Sequence, residues 1–320
     1  MPRIIYTALL YLLSPLYFVR LLIRGIKDKD YLKRWPERLG FCNVSPLDKP
    51  ILWIHAVSVG EVNASLPLIR VLLNSFPQFE LLVTTTTPTG SKVLTSSMES
   101  YVKHQYMPID LPFCINNFLE RWQPKALILL ETEIWPNLMH ACKERNIFTA
   151  LVNARLSEKS KLNYKKINSL IAPSLENMDL ILAQFESDAE RIKDLISTKD
   201  IFICGNLKFD QKIPQELIKI STNIRESWSI AGKFRPTLIA ASTHEGEEEI
   251  VLQSFSEILL REKEALLIIC PRHPERFEEV YRLIINKGFT VSRRSKKEDV
   301  LSNINILLGD TMGELSFLYS

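Results

Sequence analysis

The chain reads as an α/β protein, two doubly wound parallel-sheet units behind an N-terminal apolar helix, and three features of the sequence carry that expectation. Ten short apolar runs alternate with amphipathic segments along most of its length. A turn-rich stretch at 205–214 separates the first six runs from the last four. An uncharged run, 4–19, precedes a basic flank. Short runs spaced by helix-length crossovers are the pattern of parallel strands covered on both faces.

At the N-terminus the sixteen uncharged residues of 4–19, interrupted at Ser14-Pro15, fall short of the roughly 20 that span a bilayer. No small-residue cleavage site follows, as a secretory signal requires. Residues 20–38 carry seven basic and three acidic side chains. Cations there suit anionic headgroups, and Tyr6, Tyr11, Tyr17 and Phe18 suit an interface. Segment 1–30 is therefore expected to be a membrane anchor, lying on or inserted in the bilayer; the alternative is a helix merely packed on the following domain.

The next unit is expected over 31–212, with strands at 51–57, 79–84, 126–130, 148–152, 180–183 and 201–204. A second is expected over 213–320, with strands at 237–241, 265–270, 289–292 and 304–308. A chain of 320 residues with 46% hydrophobic and 24% charged residues accommodates two cored domains. Its net charge of +3 is too small to argue for nucleic acid. Five cysteines without a C-x-x-C pair fit neither a disulfide framework nor a zinc site and point to a reducing compartment. No repeat of fixed period occurs.

Polar residues cluster just past the strand ends, where α/β sheets bind ligands. The run 51–54 leads into Ser58-Val59-Gly60, and Glu61 stands where strand hands over to helix. A carboxylate there either serves chemistry or complements the helix macrodipole. Thr84-Thr-Thr-Thr-Pro-Thr-Gly90 offers hydroxyls for phosphate or sugar oxygens, or is a plain threonine-rich loop. Glu131-Thr-Glu-Ile-Trp-Pro-Asn137 places two carboxylates two residues apart, to orient a basic partner or cap a helix. Arg155 could bind an anion or pair with a neighbouring acid. In the second unit, Ser242-Thr-His-Glu-Gly-Glu247 could seat a phosphate at a helix start, although its acids suit that start on their own account. Pro271-Arg-His-Pro-Glu-Arg276 holds two arginines and a histidine between prolines, in a context suited to anions. The absence of G-x-G-x-x-G, a Walker loop, H-E-x-x-H and G-x-S-x-G removes support for dinucleotide dehydrogenases, P-loop ATPases, zincins and serine hydrolases.

Taken in order, these segments resemble the bacterial Kdo (3-deoxy-D-manno-octulosonic acid) transferases of lipopolysaccharide synthesis. The likeness rests on the apolar anchor, Arg34-Trp-Pro-Glu-Arg-Leu-Gly40, His55-Ala-Val-Ser-Val-Gly-Glu61, Thr85-Thr-Thr-Pro-Thr-Gly90, Glu131-Thr-Glu-Ile-Trp-Pro-Asn137, Asn153-Ala-Arg155, Gly205-Asn-Leu-Lys-Phe-Asp210, the two second-unit loops above, and Gly309-Asp-Thr-Met-Gly-Glu-Leu315. The resemblance implies a GT-B fold, with acceptor recognition mainly in the first Rossmann-like domain and nucleotide-sugar binding mainly in the second. It implies CMP-Kdo as donor, a lipid A precursor (the tetra-acylated disaccharide bisphosphate) as acceptor, and inverting transfer without metal or cofactor at the cytoplasmic face of the inner membrane.

By the same resemblance Glu61 is the general base and Glu131 an acid that organises active-site cations. Lys208, Ser242, Thr243, His244, Arg272 and His273 fall on the donor side, and Ser58, Gly60, Thr85, Thr86 and Arg155 on the acceptor side. A helix N-terminus lowers a carboxylate's pKa while burial raises it, a balance that sequence leaves open. Family members continue beyond the point matching Ser320, with a glycine-rich phosphate loop and an H-N-x-x-E-P segment, so the donor domain is expected to be truncated; were this the complete polypeptide, an exposed sheet edge, poor donor binding and little or no activity would be expected. Two other readings stand beside this one: a GT-B transferase using another nucleotide sugar on a lipid-linked acceptor, and a non-catalytic membrane protein that binds the acceptor.

Overall fold

A computed structural model gives the fold and describes residues 1–42, 48–98, 100–196, 199–210 and 215–319. The chain divides into two compact units, Met1–Gln211 and Lys212–Ser320. Part of the turn-rich junction anticipated at 205–214 lies outside the described residues.

In the first unit α1 (Pro2–Lys27) and α2 (Trp35–Arg38) precede an alternation of strand and helix. It runs β1 (Ile51–His55), α3 (Val59–Ser75), β2 (Glu80–Thr85), α4 (Pro88–Met98), β3 (Lys103–Tyr106), α5 (Pro112–Trp122), β4 (Pro124–Leu130) and α6 (Pro136–Glu144). It continues with β5 (Phe148–Ala154), α7 (Glu158–Lys166), α8 (Asn168–Glu176), β6 (Leu180–Ala183), α9 (Glu186–Lys193) and β7 (Phe202–Ile203). The strands form one parallel sheet in the order β3-β2-β1-β4-β5-β6-β7. Strand β1 shows why both faces are covered: Ile51 and Trp53 enter one apolar cluster with Phe118 and Leu129, while Leu52 and Ile54 enter the other with Val62 and Ile69. Alternation of side chains across the strand puts core on each side.

Helix α1 falls within the segment 1–30 and is longer than the uncharged run 4–19. Its 26 residues continue through Pro15, so by length and composition it could cross a membrane. Proline lacks the N–H that would bond the Tyr11 carbonyl. The Ser14 hydroxyl takes that place, donating to the same oxygen at 2.9 Å. One side of α1 rests on the first unit. Tyr6 donates to Asp110 at 3.0 Å, Thr7 to Asn137 at 2.9 Å, and Phe18 stacks on Trp35 with centroids 5.3 Å apart. On the other side Ile5, Leu9, Leu12, Leu16 and Ile23 are exposed.

Strand β3 carries no apolar run, and its sequence Lys-His-Gln-Tyr gave no strand signal. It is an edge strand held by polar contacts with α2 and the residue before it. The Tyr106 N–H donates to Glu37 at 2.9 Å, and the guanidinium groups of Arg34 and Arg38 lie 4.6 and 4.2 Å from the Tyr106 ring centre. The Arg34–Arg38 motif thus covers an exposed sheet edge.

The second unit comprises α10 (Gln215–Ser227), β8 (Thr237–Thr243), α11 (Glu247–Arg261), β9 (Leu266–Pro271), α12 (Phe277–Asn286), β10 (Val291–Arg293), β11 (Ile306–Leu308) and α13 (Leu315–Tyr319). Its parallel sheet has the order β10-β11-β9-β8. Phe255, Leu267, Ile269, Val280 and Ile306 form its main core. Arg235, buried, donates to the carbonyls of Glu264, Ala265, Leu301 and Ile304 and ties the strand starts together.

Candidate active site

Strand order in the first sheet reverses at β1, which has β2 on one side and β4 on the other. Chain connections leave in opposite directions there and open a crevice at the carboxyl ends of the strands, the usual ligand position in such sheets. Two loops flank that point, one after β1 bearing Glu61 and one after β4 bearing Glu131 and Glu133.

Glu61 lies in the first turn of α3, behind the extended N-cap Ser58. Its carboxylate accepts the Val57 N–H at 2.8 Å and the Ser58 hydroxyl at 3.0 Å. It therefore caps its own helix, and the plain structural role is real. Burial nonetheless outweighs those donors: Glu61 is 8% exposed and its pKa is held above the ordinary carboxylate value, with the charge of Glu131 adding to the effect.

Glu131 adopts a left-handed backbone, φ 59°, and its N–H donates to Val152 at 3.1 Å, which fixes the start of the loop on β5. Glu133 accepts the Trp135 indole N–H at 2.8 Å. Burial, then the charge of Glu61, pushes Glu133 up to about 7. Three carboxylates thus feel one another, and none makes an ion pair among the described residues. Burial and mutual charge together hold Glu61 and Glu133 above the ordinary carboxylate range. Sequence reasoning weighed the Glu131–Glu133 pair and kept only Glu131; the apolar wall that raises Glu133 is a tertiary feature with no local signal.

The neighbouring candidates divide. Ser58 holds Glu61, and a Cβ at Gly60 would meet the Ser58 hydroxyl at an ordinary 3.9 Å. Gly90 does not: a Cβ would stand 3.0 Å from the Thr87 hydroxyl and 3.5 Å from the Ser58 carbonyl carbon, where α4 meets α3. Thr85 is fully buried, its hydroxyl 3.0 Å from His104 Nε2, so it faces the β3 edge network. Burial, then Arg34, pushes His104 down to about 3, which keeps that imidazole neutral. The Thr86 carbonyl accepts two bonds from the fully buried Arg38, each 3.1 Å. His55 is buried, bonded through Nδ1 to Thr84, and pushed down to about 4 by burial.

Arg155 and Lys208 are exposed and form no ion pair with a described residue. Their loops are joined. Asn153, left-handed at φ 58°, accepts the Leu207 N–H at 3.1 Å, and Gln184 bonds both the Asn153 carbonyl and Asn206. The turn Leu207–Asp210 packs against α3, which puts Lys208 on the same sheet edge as Glu61.

In the second unit the loops after β8 and β9 adjoin. The Arg272 N–H donates to Thr243 at 3.0 Å, and the His244 and His273 rings stand 5.6 Å apart. Arg272, His244 and His273 are exposed, while Ser242 is left-handed at φ 58°. Two members of the loops are already committed. Thr243 donates to buried Glu248 at 2.7 Å, and Arg276 grips Glu248 at 2.9 and 3.2 Å. Glu247 accepts the His244 N–H at 2.7 Å, so acids of α11 occupy donors that would otherwise meet an anion. That leaves Arg272, His244 and His273 as the accessible groups.

Parallel sheets with ligand-type loops at their carboxyl edges, present in each unit, define the GT-B glycosyltransferase fold. A solved UDP-GlcNAc 2-epimerase from Neisseria meningitidis shares that fold, with TM-score 0.57 and 15% identity over 84% of this chain and 74% of its own. Residues 33–211, more than half of the chain, match the family model described as 3-deoxy-D-manno-octulosonic-acid transferase (kdotransferase). The 3-deoxy-D-manno-octulosonic acid transferase of Haemophilus influenzae is 40% identical over 99% of this chain and 74% of its own length. A probable mitochondrial 3-deoxy-D-manno-octulosonic acid transferase of Arabidopsis thaliana is 32% identical over 99% of this chain and 71% of its own. The chain belongs to the 3-deoxy-D-manno-octulosonic acid transferase family, a family of glycosyltransferases.

Proposed function

We propose that the chain transfers Kdo from CMP-Kdo to a lipid A precursor at the cytoplasmic face of the inner membrane, with inversion and with Glu61 as general base. The observation that carries the proposal is the placement of Glu61: buried, raised in pKa, and beside the switch point of a sheet in a member of this family. The Glu61 carboxylate takes the proton of an acceptor hydroxyl. The freed oxygen forms the new bond to the anomeric carbon of Kdo, and the bond from that carbon to the CMP phosphate oxygen breaks, its electron pair leaving with CMP. A positioned base is worth about 10²–10⁴ in rate.

The first unit takes the acceptor, with Ser58, Gly60 and Thr86 near the base and Arg155 for a sugar phosphate. Thr85 contributes by setting the loop. Lys208 serves the donor carboxylate, and in the second unit Arg272, His244 and His273 serve the donor phosphate with the backbone around Ser242 and Thr243. Glu131 organises the active-site cations that meet those anionic substrates. Helix α1 is attached to the first unit through Tyr6, Thr7 and Tyr17, with its exposed apolar side in the bilayer and the 20–38 basic flank at the headgroups.

Glu61→Gln should abolish transfer while CMP-Kdo and acceptor binding stay within about threefold, as a lost base predicts. Turnover near that of the unsubstituted chain removes the assignment. A donor panel tests the substrate: transfer from a UDP-sugar with none from CMP-Kdo rules out the proposed reaction.

A further inference from the structure

Helix α1 is pinned at two places. Near its start Tyr6 and Thr7 bond Asp110 and Asn137 at 3.0 and 2.9 Å, and eleven residues after Tyr6 the Tyr17 hydroxyl accepts from Arg38 at 3.1 Å. Between the pins the helix stands away from the unit over a cavity of about 270 Å³. Leu10, Leu13 and Tyr17 form one wall, and Met107, Ile109 and Trp135 the other.

The polar groups around this space are already engaged. Asp110 accepts Tyr6 and two backbone N–H groups of α6, Ser14 bonds Tyr11, the Trp135 indole bonds Glu133, and the Thr86 carbonyl bonds Arg38. Only the Thr86 hydroxyl has no partner among the described residues. The walls therefore offer dispersion and little else, which suits an unbranched alkyl chain and serves water poorly.

Two connections identify the owner of that chain. Leu13 lines the cavity and is half exposed on the apolar side of α1, so the cavity is continuous with the surface that meets lipid. At its inner end the wall touches the candidate active site. The Thr86 N–H donates to the Val57 carbonyl at 3.2 Å, and the Val57 N–H donates to Glu61 at 2.8 Å. A chain seated here lies two hydrogen bonds from the base. Resting on the lipid acceptor proposed above, we infer that the cavity under α1 is a subsite for one acyl chain of that acceptor. The cavity orients the sugar hydroxyl toward Glu61 and selects acylated over deacylated acceptor.

The test uses the full chain in phosphatidylethanolamine–phosphatidylglycerol vesicles with a trace of tetra-acylated disaccharide bisphosphate bearing a diazirine at one acyl terminus. Illumination should label peptides containing residues 107–110 or Trp135. Leu10→Trp, and independently Ser14→Leu, fill the space from α1 and should each reduce that labelling at least about tenfold, as the loss of two methylene contacts predicts. Labelling of Leu9 and Leu16 on the outer side should persist. Labelling confined to the outer side overturns the inference, as does equal cavity labelling by a diazirine phosphatidylethanolamine, which would give the space to bulk lipid. Transfer is assayed in the same vesicles: failure of the unsubstituted chain to transfer Kdo removes the proposed reaction, while the labelling pattern still reports on the cavity.

Discussion

Glu61 and Glu133 show how one site gives two carboxylates different work. Both are held above the ordinary range, chiefly by burial, and Glu133 reaches about 7. As a base Glu61 acts only when ionised, so kcat/KM should fall as pH drops through its raised pKa. The acid limb should lie above the ordinary glutamate value of about 4.3 and move to lower pH in Glu131→Gln, which removes a neighbouring charge. A limb unmoved in that variant contradicts the coupling. For Glu133 the sign is that of linkage with a raised acid. Between the unfolded value near 4.3 and the folded value of about 7 the folded chain holds a proton that the unfolded chain has released, so stability falls as pH rises through that window. Glu133→Gln should relieve a cost on the order of 2 kcal/mol, seen as a Tm gain at pH 8 that is absent at pH 4. The opposite ordering would place Glu133 outside a desolvating environment.

Legibility in the sequence follows the same local physics. Strands β1, β2, β4, β5 and β9 were legible because burial on both faces leaves largely apolar runs, whereas edge strand β8, with Leu238 exposed, was legible from its apolar run alone. Strand β3 was illegible because its partner is the polar Arg34–Arg38 segment, joined to it only in three dimensions. Helix α1 runs unbroken through Pro15, where the sequence shows an interruption of the apolar run, because Ser14 fills the gap that the proline makes. The position of Glu61 was plain from the strand-to-helix handover, whereas its raised pKa and the contribution of Glu133 depend on packing from β4 and α6. At this scale Arg38 is the informative residue. It is fully buried without a carboxylate partner, bonded to the Thr86 carbonyl and the Tyr17 hydroxyl. Arg38→Lys keeps the charge and loses the fork, so it should cost about 2–3 kcal/mol and raise hydrogen exchange in α1 and the Thr86 loop. Unchanged exchange would show that the helix is held by its other contacts.

The first unit, as a whole, presents an apolar helix side beside a basic flank, two attractions with different reach. Raising salt from about 0.1 to about 1 M shortens the screening length from about 10 to about 3 Å and removes the headgroup attraction while leaving apolar insertion intact. Partial release from anionic vesicles, with full release only in detergent, is the expected sedimentation result; complete release by salt alone would leave the exposed leucines and isoleucines of α1 without a membrane role.

The double attachment of α1 also bears on how the protein can be handled. Trimming the apolar N-terminus to obtain water-soluble material would remove Tyr6, Thr7 and Tyr17 together. Asp110 and Arg38 would then meet solvent, and the Thr86 loop would lose the cover that holds its carbonyl against Arg38. Material prepared that way would dissolve more readily and would carry an altered Thr86 loop, so its catalytic constants would describe a different enzyme from the intact chain.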